Sequence, residues 1–177
     1  MNKIKVKDKD FTLFIARERI EKRVAELGAL LAKDYEGKNP LMIGVLNGAF
    51  MFMAALVKAM NIPLEVSFLR LKSYQEMHST GAVTELIGLE EGINGRNLLV
   101  IEDIIDTGLT MRYLVDRLYD LQPASVEVVT LLIKPDVQQQ FRPKYVGFEI
   151  PDRFVVGYGL DYEGYGRNLE GIYQFSS

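Results

Sequence analysis

The sequence predicts an α/β fold with a mostly parallel central sheet flanked by helices, on three observations. Short apolar runs at residues 41–46 (LMIGVL), 98–101 (LLVI) and 125–133 (SVEVVTLLI) read as strands, and the run at 98–101, without polar alternation, as one buried on both faces. Between them lie segments whose apolar residues recur at helical spacing. Strands alternating with such segments imply a parallel sheet, whose ligands bind beyond the carboxyl ends of the strands.

The elements follow in order. Residues 16–35 form a helix, with Ile20, Val24, Leu27 and Leu31 on one stripe. The strand at 41–46 ends in a turn at Asn47 and Gly48, and residues 49–60 form a helix apolar nearly all round, suited to the core or a subunit interface. A second strand spans 64–71. From Lys72 to Gly95 the chain is polar, with a strand expected only at 83–87 and with Ser79, Thr80 and Gly81 at a hairpin tip; such stretches inside a domain serve function. After the strand at 98–101, Met111, Leu114, Val115, Leu118 and Leu121 mark a helix that ends near Pro123. Further strands are expected at 125–133, 145–150 and 154–160. On this layout Asn47, Arg70, Glu102 and Lys134 all fall at strand ends and converge on one crevice.

Composition narrows the function. A chain of 177 residues is long enough for one domain with its own core. The absence of cysteine removes thiol nucleophiles, Cys-based zinc sites and disulfides, and suits the cytoplasm. No apolar run approaches the roughly 20 residues a membrane helix needs. A net charge of -3 argues against nucleic acid as a partner.

The most informative stretch is residues 98–110, LLVIEDIIDTGLT. A buried strand delivers Glu102 and Asp103, then breaks into Asp106, Thr107 and Gly108. Residues 107–110 sit at a helix N-terminus, with Gly108 free to take a positive φ. Unpaired N–H groups and the positive end of the helix dipole there suit an anion. Taken alone, the turn is also compatible with a plain helix cap. Asp-Thr-Gly also occurs in aspartic proteases, but those are all-β.

The run VIEDIIDTGLT resembles the phosphoribosyl-diphosphate (PRPP) motif of type I phosphoribosyltransferases. VLNGAFMF (45–52), LKSY (71–74), STG (79–81), VGFEIPDRFVVGYGLDY (146–162) and Arg167 resemble stretches of hypoxanthine-guanine phosphoribosyltransferases, in that family's order. The resemblance implies a small hood from the terminal segments and a mobile flap. It implies Mg²⁺-dependent transfer of the phosphoribosyl group from PRPP to N9 of hypoxanthine, and of guanine, giving IMP or GMP and pyrophosphate. Glu102 and Asp103 would hold the ribose hydroxyls and the metal, with Asp161 as a further metal-linked acid beside pyrophosphate and near the base edge. Asp106, Thr107, Gly108, Leu109 and Thr110 would cradle the 5′-phosphate, and Asp106 would be the general base. Asn47, Gly48 and Arg167 would bind pyrophosphate, the Asn47–Gly48 loop carrying a non-proline cis peptide. Ser73 and Tyr74 would belong to the flap. Lys134 would donate to the 6-oxo oxygen, Phe154 would stack on the purine and the Val155 backbone would bond its edge. A homodimer or homotetramer is implied. Asn47 replaces a basic residue common in relatives, and Leu109 a lysine found in some. The rival reading is a non-catalytic PRPP-sensing regulator of the same fold.

Overall fold

The computed structural model describes residues 3–73, 83–87, 92–135 and 141–176. Strands β1 (Lys3–Val6) and β2 (Lys9–Ile15) precede α1 (Arg17–Asp34), β3 (Leu41–Leu46), α2 (Phe50–Met60), β4 (Glu65–Ser73) and β5 (Val83–Ile87). Then come β6 (Asn97–Ile105), α3 (Leu109–Tyr119), β7 (Ser125–Ile133), β8 (Tyr145–Glu149), β9 (Val155–Val156) and β10 (Ile172–Phe175).

The main sheet runs β5-β4-β3-β6-β7-β8. Its strands β4, β3, β6, β7 and β8 are parallel, and β5 returns antiparallel on β4. Alternation along the apolar runs explains why both faces are covered. On β6, Leu99 and Ile101 pack with the buried stripe Ile20, Val24, Leu27 and Leu31 of α1 and with Phe52, Met53 and Leu56 of α2. Leu98 and Val100 point the other way, into a cluster with Met111, Leu114 and Leu118 of α3. A run without polar residues is what two covered faces require.

The helices α1 and α2 approach closely at Gly28. A Cβ added there would lie 2.4 Å from Ala59 Cβ and 2.9 Å from its carbonyl carbon. At the far end of α1, the Tyr145 hydroxyl donates to Asp34 at 2.7 Å, tying the helix to β8. Arg23 donates to the carbonyls of Val146 and Gly147 at 2.8 and 2.9 Å, which occupies part of the open edge of β8.

The second sheet, β1-β2-β10-β9, is antiparallel and draws on both terminal segments, as the resemblance implies for a hood. Its small core is Val6, Phe11 and Val156, flanked by Tyr162, Leu169 and Tyr173.

Three expectations are corrected. The strand that carries Glu102 and Asp103 continues through Ile105, so both acids lie within β6 rather than at its exit. Residues 154–160 are not one strand: only Val155–Val156 pairs, because Gly157 at φ +102° and Tyr158 at φ +49° turn the chain back on itself. The lysine-rich N-terminus, to which periodicity assigned no element, forms the β1–β2 hairpin. Tyr74, His78 and the Ser79–Gly81 tip lie outside the described residues. Ser73 closes β4.

Gly28→Ala should lower stability by about 1 to 3 kcal/mol through overpacking. Urea unfolding checks it, with a reduced midpoint at unchanged m-value the expected result.

Candidate active site

Two cavities open at the carboxyl ends of β3, β6 and β7. One, of about 220 Å³, is lined by Val45, Leu71, Glu102, Ile105 and the turn Asp106, Thr107, Gly108 and Thr110. Gly108 caps α3 at φ +80°, ψ -11°, the left-handed conformation that a Cβ would oppose. Gly108 offers α3 no side-chain cap, and the Leu109 N–H reaches only a long 3.5 Å contact to Thr107 Oγ1, so the first turn keeps N–H groups for an anion. Thr107, Leu109 and Thr110 are exposed around it.

The second cavity, of about 290 Å³, is lined by Asp103, Ile104, Asp106, Lys134, Arg153, Phe154, Val155, Leu160 and Asp161. Asp106 borders both cavities. Lys134 stands at the end of β7, its side chain only 15% exposed. Its Nζ lies 3.0 Å from Asp106 Oδ1 and 2.7 Å from Asp152 Oδ1. Burial pulls its pKa down, but the contacts with Asp152 and Asp106 outweigh that and hold it above its ordinary value. The group is therefore a cation at neutral pH.

Phe154 presents a ring that is 48% exposed. It is braced from behind by fully buried Phe11, centroid to centroid 6.2 Å, and edge-on by Tyr162 at 5.9 Å and 84°. A planar ligand over this ring would meet an aromatic face fixed by two others.

The adjacent acids of β6 line different cavities, Glu102 the turn cavity and Asp103 the aromatic one. Burial first, and then its contact with Asp103, pushes the Glu102 carboxyl well above the usual carboxylate range. Asp103 is held by the Ile104 N–H, which donates to its Oδ1 at 2.8 Å.

The turn after β3 closes the site. A Cβ on Gly48 would fall 1.7 Å from Asp103 Oδ2, and a Cβ on Gly159 would fall 2.0 Å from the Gly48 carbonyl oxygen. Arg167 donates to the Gly159 carbonyl at 2.7 Å and pairs with Asp161 at 2.7 Å, and the second Asp161 oxygen accepts the Gly164 N–H at 2.6 Å. Asn47 is exposed at the rim. The cis peptide is the Leu46–Asn47 bond, one residue before the place expected for it.

Among the described residues, no three His, Cys, Asp or Glu side chains converge as a metal cage. Glu102 and Asp103 still suit magnesium, which takes one or two carboxylates and fills its shell with water and substrate oxygens. A divalent cation would also relieve the crowding that raises Glu102.

Of the expected residues, Glu102, Asp103, Asp106, Thr107, Gly108, Thr110, Lys134, Phe154, Val155 and Asp161 line the two cavities; Gly48 abuts Asp103 and Arg167 holds Asp161, whereas Asn47, Arg70, Ser73 and Leu109 line neither. Sequence reasoning missed Asp152. No local signal marks it: only the pairing of β8 beside β7, with the Ile150 N–H donating to the Ile133 carbonyl at 2.9 Å, brings an acid two residues further on next to Lys134.

The phosphoribosyl transferase domain model matches residues 15–163. The hypoxanthine-guanine phosphoribosyltransferase of Bacillus subtilis is 46% identical over 159 residues, covering 89% of this chain and 88% of that one. That of Lactococcus lactis is 43% identical over 159 residues, covering 89% and 86%. The chain belongs to this family of phosphoribosyltransferases. The solved hypoxanthine phosphoribosyltransferase of Staphylococcus aureus superposes with a TM-score of 0.87 at 40% identity, covering 93% of this chain and 91% of that one. Membership makes the chain a transferase.

Gly48→Ala should displace the Asp103 carboxylate and cut phosphoribosyl transfer by roughly 10²-fold, the scale of an ångström-sized misplacement. Steady-state kinetics beside a crystal structure of the variant checks both halves.

Proposed function

We propose that the chain transfers the 5-phosphoribosyl group from PRPP to N9 of hypoxanthine, and of guanine, releasing IMP or GMP and pyrophosphate. The observation that carries this reading is the meeting of Asp106, Lys134 and Phe154 around one cavity that adjoins a glycine-capped helix N-terminus.

The 5′-phosphate fits the turn of Asp106, Thr107, Gly108, Leu109 and Thr110, where backbone N–H groups and the α3 dipole meet its charge. Its neighbours Glu102 and Asp103 would take the ribose hydroxyls and, with the substrate's own oxygens, Mg²⁺. When bound, the metal neutralises charge on the departing pyrophosphate. Asn47, Gly48 and Arg167 would take that group. Arg167 already shares its guanidinium between Asp161 and the Gly159 carbonyl, so its charge is partly neutralised and its orientation fixed. Asp161, expected as a metal-linked acid, would act through this pair.

The purine would lie on Phe154, with the Val155 backbone at its edge and its 6-oxo oxygen facing Lys134. An ammonium can only donate, so a 6-oxo group fits and the 6-amino group of adenine does not. As N9 attacks C1 and pyrophosphate leaves, the purine N7 proton passes to Asp106. Positive charge developing at C1 is met by the carboxylates of Glu102, Asp103 and Asp106.

Phe50, Met51, Ala54 and Ala55 of α2 and Val24 and Ala25 of α1 line an apolar groove of about 540 Å³ remote from this site. It is the surface we assign to self-association as a dimer or tetramer. Among the described residues no helix is long and apolar enough to cross a membrane, and we place the enzyme in the cytoplasm.

Mixing the protein with PRPP, Mg²⁺ and hypoxanthine should yield IMP, and chelating the metal should stop the reaction. No product from hypoxanthine or guanine would defeat the proposal, and PRPP-modulated binding of another macromolecule without turnover would favour the sensor reading. Asp106→Asn should lose about 10² to 10⁴ in kcat, the worth of a positioned base, while PRPP affinity measured by calorimetry changes little.

A further inference from the structure

Lys134 is held by two carboxylates that are not equivalent. Asp106 lines both cavities and can touch a ligand in either. Asp152 lines neither; it approaches the lysine from the turn after β8, with its side chain 77% exposed, and makes the shorter contact, 2.7 Å against 3.0 Å. An ammonium has three donors. Two are engaged here, one of them on Oδ1 of Asp106, so the cation sits directly beside the carboxylate that is to take a proton.

Resting on the proposed transfer to a 6-oxopurine, we propose that Asp152 is a positioning residue that competes with Asp106 for the Lys134 ammonium. A purine entering the cavity can then displace Asp106 from the lysine without setting the lysine loose.

The physical reason is the length of the lysine side chain. Four carbons separate Nζ from the backbone, and about 2 kcal/mol of rotamer freedom must be held in check for the ammonium to point anywhere in particular. With one carboxylate partner the ammonium would either stay on Asp106, turned away from the base, or leave it for solvent. With a second partner outside the cavity, the lysine keeps its aim while its inner bond passes from Asp106 to the 6-oxo oxygen. The arrival of the correct base and the freeing of the general base become one event. A purine without an acceptor at position 6 would not trigger it. Arg153, the neighbour of Asp152, is drawn aside by Gln174, whose Oε1 accepts from its guanidinium at 3.0 Å, so it does not compete for the carboxylate.

Asp152→Asn keeps the shape and removes the charge. In the full-length protein, kcat with hypoxanthine should fall and KM for hypoxanthine should rise, each about fivefold, the scale of one partly exposed ion pair. KM for PRPP should stay within twofold. Asp152→Glu should restore most of the loss.

Calorimetry of IMP binding should give a thermodynamic cycle in which Asp152→Asn weakens the unaltered protein but has no effect in a Lys134→Met background. An equal effect in both backgrounds, a parallel rise in both KM values, or kinetics identical to the unaltered protein would overturn the role of Asp152 and leave the transfer reaction standing. Absence of any transfer by the unaltered protein would overturn both.

Discussion

Backbone crowding at Gly48 is the constraint on which the rest of the site depends. Three segments distant in sequence meet there: the turn after β3, the buried carboxylate of Asp103 on β6, and Gly159 in the turns after β9. Neither Gly48 nor Gly159 has room for a Cβ, so the contact tolerates no side chain on either partner. Because β3 and β6 are neighbours in the parallel sheet, their registry fixes how far each strand end protrudes. Arg167 extends the same junction through the Gly159 carbonyl to Asp161. The carboxylates, the rim glycine and the arginine are thereby parts of one packed unit rather than separately mobile groups.

Electrostatics builds on that rigidity. Placing Glu102 beside Asp103 in a partly desolvated strand is unfavourable for both negative charges, as the raised Glu102 carboxyl records. Such crowding persists only where the scaffold will not relax. The opposite arrangement holds at Lys134, where one cation faces two acids and stays charged despite burial. Excess negative charge on one side of Asp106 and a shared positive charge on the other leave that residue at the boundary between the two halves of the chemistry.

Much of the parallel sheet was legible in the sequence, for a physical reason. Strands covered on both faces cannot carry polar residues at alternate positions, so 41–46, 98–101 and 125–133 declared themselves, and the α1 stripe did the same for a single covered face. The turn at Gly108 was equally plain as a helix start, although taken alone it was compatible with a plain helix cap as well as an anion site. The hood was not legible. Its strands are short, rich in lysine on their open side, and paired with partners far along the chain, as Thr12 is with Ser176, separated by 164 positions. No local pattern announces such pairing. The stretch after Phe154 misled for the opposite reason, since VVGYGL has a strand's composition but Gly157 and Tyr158 take left-handed conformations that only tertiary packing reveals. Asp152 was overlooked because its importance lies wholly in what the neighbouring strand ends with.

The hood also sets an order in time. Phe154 rests on Phe11, which lies on β2, and β2 is held between β1 and β10. The parallel sheet can assemble from contacts of moderate sequence separation, whereas β2 has no inner neighbour until Ile172–Phe175 has been synthesised. Loop closure over that span is slow relative to local pairing. A chain emerging from the ribosome therefore acquires the glycine-capped turn before α3 well before the ring of Phe154 gains its backing from Phe11.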